Sequence, residues 1–177
     1  MIKRVGDTDI QLTHKATCHC GAVELEIDLP DGIVDPRRCD CSICRRKGTV
    51  MASAFLSSIR VVKGEDVLRL YQFNTNKAKH YFCSVCGIYT HHQRRSDANL
   101  YGYNVGCLEG VNPFLIPDVP VNDGVNHPAD RLEAAYLDAQ TQRRTHLLRR
   151  LLQQRVQRGV LLQADEVEAS GITQGDF

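Results

Sequence analysis

Clustered cysteines constrain this chain more than any other feature of its sequence. Of its eight cysteines, seven fall in three short clusters, which are Cys18-His19-Cys20, Cys39-Asp40-Cys41-Ser42-Ile43-Cys44 and Cys83-Ser84-Val85-Cys86. Tetrahedral zinc holds thiolate sulfurs roughly 3.8 Å apart, a spacing that cysteines two or three residues apart on a turn can reach. Gly21 and Gly87 follow two of the clusters, and a positive φ there would let the chain fold back behind a metal. The spacing therefore predicts metal sites.

Seven thiols divide naturally into a set of four and a set of three. Four ligands close a structural zinc site, whereas three leave one position for water or substrate. The spacing leaves two groupings open, because Cys41-x-x-Cys44 with Cys83-x-x-Cys86 would also make a four-cysteine site. Against that grouping, Cys39, Cys41 and Cys44 lie on one loop and can be positioned together.

A disulfide framework is the alternative use of an even number of cysteines, and it requires an oxidising compartment. The first residues, 1–7, contain no apolar run typical of a signal peptide, and no later segment is apolar enough to span a membrane. Cys-x-Cys pairs are also poor disulfide partners. We therefore expect a cytoplasmic protein that binds zinc and does not associate with a membrane.

The charge of the chain argues against nucleic-acid binding. Seven thiolates and two Zn²⁺ ions would shift the formal net charge from +1 to about −2. A general nucleic-acid binder needs a strong basic patch. We therefore consider nucleic acid an improbable partner.

Hydrophobic alternation predicts a mainly β fold over residues 15–121. Val23, Leu25, Ile27 and Leu29 alternate with acidic residues, which is typical of a half-buried strand. Further predicted strands cover residues 50–56, 59–62, 67–73, 80–82, 88–92 and 100–105. No helical period appears in this region, so we expect an antiparallel β core with the cysteine clusters in its connections.

The composition changes after residue 128, which predicts a zinc-binding domain at 1–128 and a helical extension at 129–177. Asp130 with Glu133 resembles a capping box, and Gly159 is a plausible stop. An apolar stripe typical of a helix follows the capping box and comprises Leu132, Tyr136, Leu147, Leu148, Leu151, Leu152 and Val156. The stripe either packs on the β core or forms a homodimer interface.

The ordered motifs resemble one known family. Cys18-His19-Cys20-Gly21-Ala22-Val23 and Cys39 to Gly48 are followed by Tyr71-Gln72-Phe73-Asn74-Thr75, Phe82-Cys83-Ser84-Val85-Cys86-Gly87 and Asn104-Val105-Gly106-Cys107-Leu108-Glu109. This series is similar to the glutathione-dependent formaldehyde-activating enzyme family, which includes centromere protein V. The resemblance covers roughly residues 15–128.

The resemblance implies an Mss4-like β-tent fold and a division of the cysteines. Structural zinc ligands would be Cys18, Cys20, Cys83 and Cys86, and catalytic zinc ligands would be Cys39, Cys41 and Cys44. It also implies carbon–sulfur lyase chemistry on glutathione adducts of small aldehydes or related electrophiles. Three thiolates weaken zinc as a Lewis acid, so we favour activation of the substrate thiol.

Several other residues are candidates for a role at this site. Arg45, Arg46 and Lys47 could receive the carboxylates of glutathione, or they could be surface charges. The remaining candidates, with core or surface positions as their alternative, are His19, His91, His92, Tyr101, Tyr103 and Cys107. The alternative function is a non-catalytic, zinc-stabilised module that binds protein or nucleic acid.

Overall fold

The computed structural model describes residues 1–127, 139–145 and 148–149. Residues 1–127 form one compact unit. Its strands are β1 Arg4–Val5, β2 Thr8–Asp9, β3 Thr13–Thr17, β4 Glu24–Asp28, β5 Arg38–Cys39, β6 Met51–Phe55, β7 Ile59–Lys63, β8 Leu68–Tyr71, β9 Lys79–Cys83, β10 Tyr89–Gln93, β11 Leu100–Asn104 and β12 Val121–Asn122. One short helix, α1, covers Cys44–Lys47. The predicted mainly β class is confirmed.

Two antiparallel sheets carry most of this unit. A five-stranded sheet has the order β6-β11-β10-β9-β8, and a three-stranded sheet has the order β3-β4-β7. The predicted alternation on β4 is present, since Leu25 and Ile27 are buried while Glu24 and Glu26 are half-exposed. Apolar side chains on one face of a strand pack inward together because successive residues point to opposite faces.

The hydrophobic core lies between these elements and includes three cysteines. Its most deeply buried members include Val23, Leu25, Ile27, Ile33, Tyr103 and Val105. Cys18, Cys83 and Cys107 belong to the same cluster of buried residues. One cysteine of each sheet-end pair, Cys18 after β3 and Cys83 at the end of β9, therefore belongs to the core.

The sequence prediction lacked strands β1, β2 and β3, and further local features also differ from it. The predicted strand at 67–73 begins at Leu68, because Gly64 at φ 79° leads into a 3-10 turn over Glu65–Val67. Helix α1 was not predicted, since four residues are too few to show a helical period. The pair β5 and β12 is parallel, whereas only antiparallel pairs were expected.

The predicted helical extension lies largely outside the described residues. Residues 139–145 and 148–149 are helical. Of the predicted apolar stripe, Leu148 alone is described, and its side chain is exposed. The predicted capping box, stop signal and remaining stripe residues lie outside the described residues, so the extension and the domain boundary stay predictions. No helix in the described ranges is long and apolar enough to cross a membrane.

Candidate metal centres

Four cysteine sulfurs converge where the two main sheets meet. Cys18 and Cys20 follow β3, whereas Cys83 ends β9 and Cys86 lies in the turn before β10. Their sulfur atoms all lie within 4.8 Å of one another. Cys18 Sγ is 3.6 Å from Cys20 Sγ, and Cys20 Sγ is 3.9 Å from Cys83 Sγ. We call these four residues the four-cysteine cluster.

Two similar turns hold the sulfurs of this cluster. The Gly21 N–H donates to Cys18 O at 3.0 Å, and the Gly87 N–H donates to Cys83 O at 2.8 Å. Gly21 and Gly87 have φ values of 71° and 75°, which confirms the predicted positive φ behind both pairs. Each turn closes through a bond from the first cysteine, Cys18 N–H to Val23 O and Cys83 N–H to Ile88 O. The backbone therefore presents each cysteine pair independently of the other.

Burial differs within the four-cysteine cluster. Cys18 and Cys83 are 2% and 0% exposed, whereas Cys20 is exposed and Cys86 is half-buried. The cluster thus has one side in the hydrophobic core and one side at the surface. Loss of these four side chains would open the hydrophobic core beside two sheets, because Cys18 and Cys83 belong to that core.

A second cluster gathers Cys39, Cys41 and Cys44, and we call it the three-cysteine cluster. Cys39 ends β5, and Cys44 begins α1. The three sulfurs lie within 4.8 Å of one another, and all three residues are half-buried. Within the described ranges, the cysteine sulfurs therefore gather as four and three, the division that the family resemblance implied.

The turn of α1 fixes this loop. The Arg45 N–H donates to Cys41 O at 3.1 Å, and the Gly48 N–H donates to Cys44 O at 2.9 Å. Gly48 has a φ of 63°. As in the four-cysteine cluster, a glycine with positive φ donates its N–H to the carbonyl of a clustered cysteine.

Hydrogen bonds among the thiols of the three-cysteine cluster shift their pKa values in opposite directions. A bond from Cys44 lowers the pKa of Cys41 to about 5. The same contact with Cys41 raises the pKa of the Cys44 thiol well above its usual range. Burial raises the pKa of Cys39. One thiolate therefore forms readily, and the other protons leave when a metal binds.

The segment of chain around β12 borders the three-cysteine cluster. Strand β12 pairs with β5, which places Asn122 opposite Cys39. The Gly124 N–H donates to Asp40 Oδ1 at 2.7 Å. A Cβ at Gly124 would lie 2.3 Å from Cys39 Sγ and 2.7 Å from Cys41 Cβ. The bare backbone of Gly124 thus lies directly against two of the three cysteines, a contact that the sequence analysis missed.

Lys47 turns inward beside this cluster, whereas Arg45 and Arg46, the other two predicted carboxylate-binding residues, do not. Arg45 and Arg46 are exposed, and Arg46 Nη1 donates to Ser42 O at 2.6 Å. Lys47 is half-buried, and its Nζ lies 3.1 Å from the centre of the Tyr89 ring. It lies three residues after Cys44, so both side chains share one face of α1. Burial lowers the pKa of Lys47 to about 8.

His80 connects Lys47 to Tyr89. His80 Nδ1 lies 3.5 Å from Lys47 Nζ and 3.2 Å from Tyr89 Oη. An ammonium group only donates, so a bond with Lys47 makes Nδ1 the acceptor and leaves the proton on Nε2. Burial lowers the pKa of His80 to about 4, which keeps this ring neutral at pH 7. A lysine, a histidine and a tyrosine therefore form a polar group next to the three sulfurs.

The adjacent histidines of β10 point to opposite faces, as the strand period predicts. His91 is buried and stacks on Tyr81, with ring centroids 4.6 Å apart. His92 stacks on His80 at 5.3 Å and belongs to the face that carries Lys47. Within residues 1–127, His92 Nδ1 is buried without a hydrogen-bond partner. Only His92 therefore faces the side of the sheet that leads to the three-cysteine cluster.

The remaining candidates lie away from this face. Cys107 is 4% exposed, and burial raises the pKa of its thiol to about 12. The thiols of Cys18 and Cys86 add to this rise, so Cys107 lies beside the four-cysteine cluster. Tyr103 is fully buried, and His19 is exposed. These positions match the core and surface alternatives of the sequence analysis.

Both clusters fit a thiophilic metal ion. The sulfur separations of 3.6 and 3.9 Å in the four-cysteine cluster are close to the roughly 3.8 Å edge of a zinc tetrahedron. Four thiolates are a closed donor set for zinc, and three with a further position are an open one. The residues present therefore fit zinc at both places.

Fold and sites together define a small, mainly β protein with two thiol clusters able to bind metal. Residues 13–120 match the sequence model of the family described as glutathione-dependent formaldehyde-activating enzyme. The chain belongs to this family, as the resemblance in its motifs predicted. A crystal structure of a Rhodobacter sphaeroides protein is also similar, with 60% sequence identity and a TM-score of 0.59, covering 61% of this chain and 99% of that one.

Proposed function

We propose that the protein is a zinc-dependent carbon–sulfur lyase that joins a thiol such as glutathione to a small aldehyde, or splits the adduct. One observation carries this proposal: three half-buried cysteine sulfurs converge beside the half-buried Lys47. This lysine is not needed to hold the sulfurs in position. Family membership supports the same chemistry. The four-cysteine cluster, anchored in the core, would hold a second zinc ion with a structural role.

Addition of the thiol forms a C–S bond and an O–H bond and breaks the S–H bond and the π bond of the carbonyl. The thiol loses its proton to solvent, its sulfur attacks the carbonyl carbon, and the π electron pair moves to the oxygen, which takes up a proton. Zinc held by Cys39, Cys41 and Cys44 would supply the positive charge that keeps a substrate sulfur deprotonated at neutral pH. The reverse sequence releases the aldehyde.

Lys47 is positioned to act on the aldehyde oxygen. Its ammonium group shares a face of α1 with Cys44 and lies over the Tyr89 ring. The neutral His80 ring accepts from Lys47 and so holds the ammonium in place. A donor fixed where negative charge develops stabilises the transition state without reorganising. We therefore assign Lys47 to the carbonyl oxygen, with His80 and Tyr89 as positioning residues.

The test is an exchange measurement between formaldehyde, glutathione and their adduct by ¹³C NMR. Zinc-loaded wild-type protein should accelerate exchange above the uncatalysed rate, and Cys41→Ser should abolish the acceleration. Cys107→Ala is the matched control, since Cys107 is a buried thiol outside the three-cysteine cluster. Exchange at the buffer rate with wild-type protein would reject the lyase and favour a non-catalytic binding module.

A further inference from the structure

Asp40 connects the three-cysteine cluster to a distant stretch of chain. It occupies the position between Cys39 and Cys41. Its Oδ1 accepts two backbone N–H bonds, from Gly124 at 2.7 Å and from Val125 at 3.2 Å. An ionised carboxylate forms a stronger bond with a backbone N–H than a neutral acceptor does. Asp40 is therefore joined through the backbone to two candidate metal ligands, and through its side chain to residues 84 and 85 positions further on.

Residues 120–126 run along one side of the three-cysteine cluster, and we call them the strap. Two backbone bonds attach the first part of the strap to β5 and the residue after it. The Arg38 N–H donates to Pro120 O at 2.8 Å, and the Asp40 N–H donates to Asn122 O at 3.3 Å. The second part is attached by the two bonds to Asp40 Oδ1. Asp40 thus takes part in three of these four attachments.

The strap has little apolar anchorage. Gly124 is half-buried, and every other residue from 120 to 126 is exposed. Val121 and Val125 are 63% and 62% exposed, so neither side chain fixes the strap to the core. Gly124 meets the cluster with bare backbone, since a Cβ there would lie 2.3 Å from Cys39 Sγ. A segment with few buried apolar contacts opens at a low free energy. The bonds to Asp40 therefore matter strongly for keeping the strap in place.

The position of Asp40 couples the strap to the metal site. Its carboxylate reaches the strap amides only while the backbone between Cys39 and Cys41 keeps its place. A metal ion bound by both sulfurs would restrain that backbone, because metal binding and local folding share one free energy. Such coupling is reciprocal, so the factor by which the metal favours the closed strap is also the factor by which the closed strap favours the metal.

We propose that Asp40 is a positioning residue that clasps the strap against the three-cysteine cluster and thereby retains zinc. The inference rests on zinc binding at this cluster, as in the proposed function, and does not require the lyase reaction. Zinc bound by the three cysteines closes the strap, and the closed strap slows the loss of zinc. Opening the strap uncovers the side of Cys39 that Gly124 covers.

The first measurement is amide hydrogen exchange by NMR. Wild-type protein is compared with zinc in the four-cysteine cluster alone and with zinc in both clusters, and the zinc content of each sample is measured. Loading the three-cysteine cluster should slow exchange at Gly124 and Val125 about tenfold or more, within the usual range of coupling between sites. The Gly87 N–H, which donates to Cys83 O in the four-cysteine cluster, should exchange at the same rate in both samples.

The second measurement is the affinity for zinc, by competition with a chelator. Asp40→Ala removes the acceptor and should weaken zinc binding at the three-cysteine cluster about tenfold, the reciprocal factor. Asp40→Asn keeps an oxygen acceptor without the charge, so its affinity should lie between wild type and Asp40→Ala. Asp97→Ala is the matched control, because Asp97 Oδ1 accepts the Asn99 N–H at 2.9 Å in the loop between β10 and β11. It should keep the wild-type affinity.

A variant within the strap separates the clasp from the charge of Asp40. The Asn126 N–H donates to Asp123 Oδ1 at 2.8 Å. Asp123→Ala loosens this turn without altering the cysteine loop, and it should weaken zinc binding in the same direction as Asp40→Ala. If Asp40→Ala does not fold, Asp123→Ala and the wild-type exchange rates decide.

Several results would overturn the clasp. They are exchange at Gly124 and Val125 that does not depend on zinc, wild-type zinc affinity in Asp40→Ala, or equal weakening in Asp40→Ala and Asp40→Asn with unchanged strap exchange. A wild-type protein that takes up no second zinc would overturn it as well. Failure of the lyase would instead appear as uncatalysed formaldehyde exchange in protein loaded with two zinc ions, and it would leave the strap exchange rates and zinc affinities as expected.

Discussion

The two cysteine clusters use the same turn chemistry in different surroundings. In each, a glycine with positive φ donates its N–H to the carbonyl of a clustered cysteine. The four-cysteine cluster joins two sheets, and Cys18 and Cys83 are core residues. The three-cysteine cluster lies on one loop, half-buried, beside Lys47 and against Gly124.

This difference teaches that ligand chemistry alone does not set the role of a thiol cluster. A metal bound across two sheets is coupled to folding, because the ligands come together only in the folded chain. A metal bound by one loop contributes less to the fold and is accessible to a substrate. Burial and neighbouring charges therefore separate the two sites, and each of the following predictions tests that separation.

The largest expected effect is on stability. Cys83→Ser should lower the free energy of unfolding by roughly 4 kcal/mol or more, since metal affinity at a structural site is folding free energy. Cys41→Ser should cost about 1 kcal/mol, a typical value for a single substitution, while losing one zinc ion. Denaturant titration and zinc content measure both quantities, with Cys107→Ala as the buried-thiol control. Equal losses of stability in Cys83→Ser and Cys41→Ser would contradict the proposed difference between the two clusters.

The next largest effect is on catalysis at the three-cysteine cluster. Lys47→Met keeps much of the volume but removes the ammonium, so kcat should fall about 100-fold, near 2.7 kcal/mol. Lys47→Arg should recover part of the loss. Lys63→Met, which removes an ion pair with Glu24 on the other sheet, should keep the wild-type kcat. A wild-type kcat in a folded Lys47→Met variant would show that Lys47 takes no part in the reaction.

A smaller effect should follow from a change at Gly124. Its Cβ would lie 2.3 Å from Cys39 Sγ, so Gly124→Ala must displace the loop. We expect about tenfold weaker zinc binding at the three-cysteine cluster, near 1.4 kcal/mol, with the second zinc retained. Competition with a chelator measures the two affinities. Gly106→Ala is the control, since its Cβ would meet side-chain atoms at 3.4 and 3.6 Å. Equal weakening of both sites would contradict their independence.

The smallest effect tests the turns themselves. Gly87→Ala and Gly48→Ala each place a Cβ at positive φ with no heavy atom of the described structure within 4 Å, so only backbone strain is added. Each should cost about 1 kcal/mol, measured by urea titration. A much larger cost for Gly87→Ala would assign part of the stability difference between the clusters to the turn rather than to the metal.

Local signals predicted much of this fold. The alternation around Leu25 and Ile27 identified β4, and the positions of Gly21 and Gly87 identified two turns. These signals are readable because their causes lie within a few residues. The spacing of the cysteines predicted metal sites but left their grouping open.

The rest depends on contacts between distant residues. Strand β5 pairs with β12, which follows it by about 80 residues, and each is only two residues long. Neither the inward turn of Lys47 onto Tyr89 nor the contact of Gly124 with Cys39 has a local sequence pattern. Arg94, which follows β10, reaches Ser53 on β6 only because β6 and β10 belong to one sheet. Such pairs are visible only once the topology is known.

The contact of Gly124 with the three-cysteine cluster has a consequence for how this architecture can diversify. The match to the family ends at residue 120, yet residues 122 and 124 lie against Cys39 and Cys41. One wall of the three-cysteine cluster is thus supplied by residues that lie outside the range matched to the family. New side chains or insertions there can reshape what reaches the sulfurs while all seven clustered cysteines stay in place. Access to the thiols can therefore change without any change in the thiols themselves.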